Sequence, residues 1–282
     1  MSIARKIFAA TIAFACCFAH AQELVNISYK TIEGNDATYE AIVSRPSSTQ
    51  PKKHKAVVIL HHAGGWGVGT TQQYARFFAE NDYVTIEPRM FTIRSKPLIA
   101  FVPLAYSSLN YLAQDAAVDP AQISLMGLSI GGDLTVFSAT EWAAKNYGTT
   151  TLSFAKFAPV YPVCWFHRSI IERKNESKFP AGFQDAFVKK PMKIFAGSAD
   201  DYSSRDPADC QNFIDAIPDK TQKEMSSVVV YEGATHGWDQ NSTSFREPRY
   251  GCKGQGCMIE MRSNPKVTQQ AMKDLLDFFN EK

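Results

Sequence analysis

The chain has 282 residues, of which 45% are hydrophobic and 21% are charged. This composition supports a full-sized core and excludes an intrinsically disordered protein. Lysine and arginine number 30 against 28 aspartate and glutamate, and no basic block is present, so a nucleic-acid partner is not expected.

The N-terminus has the three parts of an export signal. A basic start at Arg5-Lys6 precedes an apolar run over 7–18, and Ala19-His20-Ala21 has the small-x-small pattern that signal peptidase recognises. The run is too short to anchor the chain in a membrane. We predict a signal peptide over 1–21, cleaved after its last alanine, and a periplasmic or secreted mature protein. A buried N-terminal helix and a lipoprotein signal at Cys16 are the alternatives.

Short β-rich apolar runs alternate with segments of helical spacing along the rest of the chain. The predicted strands are 24–33, 39–45, 56–60, 83–86, 123–126, 154–160, 192–196 and 228–231. The predicted helices are 72–81, 98–113, 131–145, 207–217 and 267–280. This alternation favours an α/β fold with a mostly parallel sheet covered by helices on both faces.

The first two runs flank a turn sequence and predict an antiparallel hairpin at one edge of this sheet. No linker divides the mature chain, so we predict a single domain over 22–282. Ligands of such sheets bind beyond the carboxyl ends of the strands, which is where we expect the chemistry.

A Gly-x-Ser-x-Gly motif follows the predicted strand 123–126. It runs from Gly127 through Ser129 to Gly131, and a helical segment comes directly after it. In this strand–turn–helix context the turn is too tight for a side chain at either glycine, and the serine hydroxyl is exposed at a helix start that favours negative charge. We predict Ser129 as a nucleophile. A plain turn is the alternative.

A serine hydroxyl needs a base, almost always a histidine oriented by a third group. In folds of this type the chain order is serine, acid, histidine, and only His167 and His236 follow Ser129. His236 alone also follows an acid at a strand end, so we predict it as the base. We expect His167 on the surface or lining a pocket.

Two aspartates follow the predicted strand 192–196 and are candidates for the acid. Asp200 is the first carboxylate beyond the strand, and we predict that it orients His236. We expect Asp201 to accept backbone hydrogen bonds in the turn that follows. The alternative is that Asp201 orients His236 and Asp200 accepts the backbone hydrogen bonds.

The loop after the predicted strand 56–60 reads His61-His62-Ala63-Gly64-Gly65-Trp66-Gly67. An oxyanion hole needs two backbone N–H groups, for which we predict Ile130 together with Ala63 or Gly64. His62 and Trp66 are candidate substrate-binding residues. Tandem histidines also suggest a metal site, but neighbouring residues on an extended chain point in opposite directions and no later residue completes a ligand set, so no metal is expected.

Four of the six cysteines lie outside the predicted signal peptide, and an even count in an exported chain indicates two disulfides. Cys252 and Cys257 enclose a four-residue loop with two glycines, which allows them to pair. Cys164 and Cys210 are then left for each other. A zinc site is the alternative, but the required close pairs of cysteines are absent.

From about residue 37 to its C-terminus the chain resembles an α/β-hydrolase of the dienelactone hydrolase family. The segments that carry the resemblance are, in chain order, LHHAGG, GLSIGG, YPVC, GSADD and GATHGW. The resemblance implies a triad of Ser129, Asp200 and His236, with Ala63 and Ile130 as oxyanion donors.

Two departures from the family pattern bear on the substrate. Members that open dienelactones use a cysteine nucleophile with a glutamate in the oxyanion loop, where this chain has Ser129 and His62. Those members also bind a substrate carboxylate with an arginine from the loop after the next strand, and Arg94 stands at about that place. A solvated loop charge is the alternative for Arg94.

We therefore expect a serine hydrolase that cleaves a small-molecule ester, or a lactone or thioester, through an acyl-enzyme and without a cofactor. A peptidase of the same fold and a non-catalytic exported binding protein are the alternatives. The extra segment 239–264 is predicted to form a partial lid. The sequence makes no prediction about oligomeric state.

Overall fold

The computed structural model describes residues 21–47, 52–90, 96–149, 151–173 and 178–281. The main sheet contains β1 (Ala21–Lys30), β2 (Asp36–Arg45), β3 (His54–Leu60), β4 (Tyr83–Pro88), β5 (Val118–Leu128), β6 (Phe157–Val160), β7 (Met192–Gly197) and β8 (Ser226–Tyr231). A small second sheet contains β9 (Ser244–Arg246) and β10 (Ile259–Met261). The helices are α1 (Gly69–Glu80), α2 (Val102–Ala113), α3 (Ile130–Ser138), α4 (Glu141–Tyr147), α5 (Cys164–Ile171), α6 (Asp209–Ala216), α7 (Lys220–Glu224), α8 (Gly251–Gly254) and α9 (Pro265–Asn280).

The main sheet has the order β1-β2-β4-β3-β5-β6-β7-β8. All pairs from β4 to β8 are parallel, whereas β1 and β2 form an antiparallel hairpin that joins the sheet alongside β4. The predicted α/β fold with an antiparallel N-terminal hairpin is confirmed. Because β3, β5, β6, β7 and β8 are parallel, the loops after their carboxyl ends meet at one edge of the sheet.

Alternate residues of β3 pack on opposite faces of the sheet. Val58 and Leu60 belong to one buried cluster, which α2 covers, and Val57 and Ile59 belong to a second, which α1 and α9 cover. All four side chains are fully buried. A strand buried on both faces is apolar at every position, which is why its sequence shows no alternation.

Some helices differ from the prediction. The predicted helix 131–145 is two helices, α3 and α4, because the chain turns at Thr140, whose hydroxyl accepts the Ala143 N–H at 3.1 Å and begins α4. The helices α5 and α7 have eight and five residues and were not predicted. Segments this short do not show a helical period clearly. No helix in the described ranges is long and apolar enough to cross a membrane.

Both predicted disulfides are present. Cys164 at the start of α5 pairs with Cys210 in α6, and both residues are buried. Cys252 in α8 pairs with Cys257. The first bond joins the segments on either side of β7, and the second closes the tip of the extra segment 239–264.

The two disulfides should contribute unequally to stability. The Cys164–Cys210 bond spans 46 residues and the Cys252–Cys257 bond spans five. Loop-closure entropy gives about 4 kcal/mol for the first and about 2 kcal/mol for the second. We expect the Cys164→Ala/Cys210→Ala protein to unfold at a lower temperature in calorimetry than the Cys252→Ala/Cys257→Ala protein. A lower unfolding temperature for the Cys252→Ala/Cys257→Ala protein would contradict this prediction.

Candidate active site

The turn between β5 and α3 holds Ser129 in an unusual backbone conformation, with φ 54° and ψ −118°. A Cβ added to Gly127 would lie 2.1 Å from the Gly131 carbonyl oxygen. A Cβ added to Gly131 would lie 2.1 Å from the Leu60 carbonyl oxygen, at the end of β3. These distances are far inside van der Waals contact, so any larger residue would force the strands and the helix apart. The turn also makes Ser129 the N-cap residue of α3.

A chain of hydrogen bonds links Ser129, His236 and Asp200. The Ser129 Oγ lies 2.7 Å from His236 Nε2, and His236 Nδ1 lies 2.8 Å from Asp200 Oδ2. His236 and Asp200 are 3% and 5% exposed. An ionised carboxylate only accepts hydrogen bonds, so the proton of the neutral imidazole is on Nδ1 and Nε2 is free to accept the serine proton. The three side chains can therefore move a proton from Ser129 to His236.

The two neighbouring aspartates have different partners. The second oxygen of Asp200, Oδ1, accepts the Tyr202 N–H at 2.8 Å. Asp201 accepts Arg205 Nε at 2.7 Å on one oxygen and the Glu260 N–H at 2.9 Å on the other. The structure therefore brings Asp200, and not Asp201, to His236. Asp201 instead connects the acid loop to β10.

The acid loop after β7 and the histidine loop after β8 are bonded to each other. Ala199 N–H donates to the Ala234 carbonyl at 3.0 Å, and Gly233 N–H donates to Ser198 Oγ at 2.8 Å. A Cβ added to Gly197 would lie 2.2 Å from the same Ala234 oxygen. The backbones of the two loops are thus in direct contact.

Two tyrosine rings pack against the imidazole of His236. The Tyr161 ring meets it edge-on with centroids 5.0 Å apart, and the Tyr202 ring lies at 4.4 Å with a tilt of 47°. Tyr202 also supplies the N–H that holds Asp200. The orientation of the histidine ring is therefore fixed by its two neighbours as well as by its hydrogen bonds.

The two candidate oxyanion donors come from different segments: Ile130 directly follows Ser129, and Ala63 is in the loop after β3. Neither Ile130 N–H nor Ala63 N–H is hydrogen-bonded within the described part of the chain. The Gly64 N–H, the alternative donor, is instead bonded to His62 Nδ1 at 2.8 Å and is not available. Ala63 is therefore the candidate that remains in the loop after β3.

Buried His61 holds the loop after β3 through hydrogen bonds to the backbone. It is 1% exposed, and its Nε2 accepts the Met90 N–H at 3.1 Å. The ring proton is therefore on Nδ1, which donates to the His62 carbonyl at 2.9 Å. Burial lowers the pKa of His61 to about 4, so the ring is neutral at pH 7. With both nitrogens bonded to the backbone, His61 has a structural role and does not offer a metal ligand.

Glu87, at the end of β4, holds the other half of the same loop and was not singled out by the sequence analysis. Its Oε1 accepts the Gly67 N–H at 3.0 Å and the Thr71 hydroxyl at 2.6 Å, and its carbonyl accepts Trp66 Nε1 at 2.9 Å. Burial raises the pKa of Glu87. Trp66, a predicted substrate-binding residue, is thus held by the protein, with Arg89 over its ring at 5.3 Å.

His62 has one free ring nitrogen. Because Gly64 N–H donates to its Nδ1, the neutral ring carries its proton on Nε2, which is buried and has no hydrogen-bond partner in the described residues. Burial and the nearby positive charges of Arg246 and His236 lower the pKa of His62 to about 4. His62 is therefore a neutral donor at pH 7, and its role in substrate binding stays a prediction.

The profile of the dienelactone hydrolase family matches residues 100–282 of the sequence. The chain belongs to the dienelactone hydrolase family. The family and the esterases among its structural neighbours make it a hydrolase of the α/β-hydrolase fold. No curated protein matches the sequence.

Solved structures of esterases share the fold of this hydrolase. Esterase 2 of the planctomycete Thermogutta terrifontis is 20% identical with a TM-score of 0.60, and the match covers 90% of this chain and 91% of that one. The same esterase phosphorylated by paraoxon matches at 18% identity and a TM-score of 0.59, with 90% and 92% covered. Est1E from Butyrivibrio proteoclasticus is 13% identical with a TM-score of 0.58, and 91% and 100% are covered.

The prediction for His167 is wrong. Its side chain is fully buried, with Nε2 at 3.0 Å from Asp133 Oδ1 and Nδ1 at 3.0 Å from Gln184 Nε2. The same Asp133 oxygen accepts the Val163 N–H at 2.8 Å. The error follows from missing α5, which turns His167 inward. Arg94, the predicted carboxylate ligand, lies outside the described residues.

The segment 239–264 of this hydrolase borders the acid loop as the hairpin β9–β10. Arg246 pairs with Ile259, and residues paired in an antiparallel ladder point to the same face. Ile259 is fully buried, whereas Arg246 is exposed. Phe245 is on the opposite face and 63% exposed.

The different partners of the two aspartates predict different effects of substitution. Asp200→Asn should lower kcat for a nitrophenyl ester by about 10⁴-fold, because an amide permits the wrong histidine tautomer and does not stabilise the imidazolium. Asp201→Asn should leave kcat nearly unchanged and lower the melting temperature, because it weakens the bonds to Arg205 and Glu260. An inactive Asp201→Asn protein beside an active Asp200→Asn protein would exchange the two roles.

Proposed function

We propose that this hydrolase cleaves carboxylic esters of small molecules through an acyl-enzyme. Ser129 is the nucleophile, His236 the general base and then the general acid, and Asp200 the group that orients the histidine. The observation that carries this proposal is the continuous chain of hydrogen bonds at 2.7 and 2.8 Å from the Ser129 hydroxyl to the Asp200 carboxylate.

Acylation begins when the Ser129 oxygen attacks the ester carbonyl carbon and its proton passes to His236 Nε2. The carbonyl electron pair moves onto oxygen, and the N–H groups of Ala63 and Ile130 stabilise that negative charge. His236 then gives its proton to the departing alcohol oxygen, and the C–O bond breaks. Asp200 stays ionised and stabilises the imidazolium between these transfers.

Deacylation repeats the same proton transfers with water. His236 takes a proton from water as the water oxygen attacks the acyl carbon, and the carboxylic acid leaves when Ser129 regains its proton. Every group in both halves of the cycle belongs to the chain, and we propose no cofactor. The neutral Nε2–H of His62 and the Arg246 side chain border the space that the substrate occupies.

We propose further that the protein acts outside the cytoplasm as a single domain over 22–282. Two disulfides are typical of proteins that fold in an oxidising compartment. The sequence over 1–21 has the pattern of an export signal, which supports the same proposal. We propose that the hairpin β9–β10, which borders the acid loop, forms a partial lid.

The nucleophile can be tested with a fluorophosphonate probe, which reacts with activated serines. We expect one equivalent of probe on Ser129 of the native protein, located by peptide mass spectrometry, and none after heat denaturation. Ser129→Ala should abolish labelling and lower ester hydrolysis by more than about 100-fold.

Ser153→Ala is the matched control, because Ser153 is exposed and belongs to none of the groups described above. It should label and hydrolyse as the wild type does. Labelling that persists in Ser129→Ala, or that maps to another residue, would refute the proposed function. A panel of nitrophenyl esters of increasing acyl length would then define the acyl group that the active protein prefers.

A further inference from the structure

A second carboxylate is buried behind the histidine loop. Asp239 is 3% exposed and follows His236 by three residues. The Tyr161 hydroxyl lies 2.8 and 2.9 Å from its two oxygens, and the Tyr74 hydroxyl lies 2.9 Å from Oδ2. Both tyrosines are also buried. We call these three residues the Asp239 cluster, and the reaction steps above make no use of it.

The cluster joins two separate parts of the fold to the histidine loop. Tyr74 belongs to α1, Tyr161 follows β6, and Asp239 is in the histidine loop itself. Gln73, also of α1, donates to the Asp239 carbonyl at 2.9 Å, and Asn264 N–H donates to the Trp238 carbonyl at 2.7 Å. The backbone carbonyls of Trp238 and Asp239, just after His236, are thus each held by a hydrogen bond from a distant part of the chain.

Tyr161 connects the cluster to the imidazole. Its hydroxyl donates to Asp239, and its ring packs edge-on against His236 with centroids 5.0 Å apart. The same ring lies 4.8 Å from Trp238. A change at the Asp239 carboxylate therefore reaches His236 through one rigid aromatic side chain.

The carboxylate is also coupled to His236 by charge. Burial raises the pKa of Asp239 to about 6, against the opposing effects of the two tyrosine hydroxyls and of the His236 charge. Such coupling is reciprocal, so the negative charge of ionised Asp239 favours a positive charge on His236. The titratable groups that face Asp239 are Tyr74, Tyr161 and His236.

We propose that Asp239 is a positioning residue for His236, with two effects on the same ring. The Asp239 cluster holds the histidine loop and the imidazole in place, and the charge of its carboxylate stabilises the imidazolium that forms when Ser129 loses its proton. This inference rests on the proposed function, in which His236 is the general base.

Asp239→Asn tests the proposal, because an amide of the same size still bonds the tyrosines but carries no charge. At pH 8, where wild-type Asp239 is ionised, we expect kcat to fall by about tenfold with KM little changed, a smaller loss than the roughly 10²–10⁴-fold effect of a general acid or base itself. Near pH 5, where wild-type Asp239 is protonated, the two proteins should differ by less than about twofold.

Asp274→Asn is the matched control. Asp274 also accepts a tyrosine hydroxyl, that of Tyr231 at 2.9 Å, but it is half-buried on α9 and does not touch the histidine. It should leave the pH profile unchanged. A purely structural Asp239 would give a loss of activity that is the same at pH 5 and pH 8, and that result would overturn the inference, as would unchanged kcat at pH 8.

A second variant covers the case in which Asp239→Asn does not fold. Tyr74→Phe removes one donor to the carboxylate, so the pKa of Asp239 should rise and the pH at which kcat/KM increases should rise with it. An unchanged profile would contradict the inference. Fluorophosphonate labelling of wild-type Ser129 separates failure of the proposed function from failure of this inference. No labelling refutes the proposed function. Normal labelling, together with a loss of activity in Asp239→Asn that does not change between pH 5 and pH 8, refutes this inference alone.

Discussion

The site depends on a contact between two backbones, the approach of Gly131 to the Leu60 carbonyl at the end of β3. This contact brings the start of α3, which carries the Ile130 N–H, against the loop that follows β3, which carries the Ala63 N–H. No side chain fits between the two segments. The geometry of the serine is therefore a property of the packing of the sheet, and the rest of the site is arranged around it.

The charges around His236 follow from burial. His61 and His62 stay neutral because burial lowers the pKa of each, and Glu87 holds the loop through neutral and backbone donors. The carboxylates near the imidazole, Asp200 and Asp239, each accept hydrogen bonds from rigid neighbours. In the proposed reaction the positive charge on the imidazole would form near negative groups and uncharged histidines, an arrangement that would favour proton transfer from the serine.

The sequence predicted the parts of the structure that have a local signal. The serine turn is a five-residue pattern between a strand and a helix, and His236 and Asp200 follow strand ends in the chain order of the fold. The residues that were missed or misplaced are defined by burial across the fold. Glu87 and Asp239 look like ordinary polar residues in the sequence, and the histidine pair does not show that His61 bonds the backbone. His167 is predicted at the surface or lining a pocket because α5 is too short to show its inward face.

The bonded acid and histidine loops have a consequence for motion within the site. The two loops are joined by hydrogen bonds between Ala199 and Ala234 and between Gly233 and Ser198. Ser129, in contrast, lies between β5 and α3. We therefore expect Asp200 and His236 to move together, and Ser129 to move with β5 and α3. On this expectation the Oγ–Nε2 distance varies more than the Nδ1–Oδ2 distance, so the bond to the serine opens and closes while the acid–histidine bond persists.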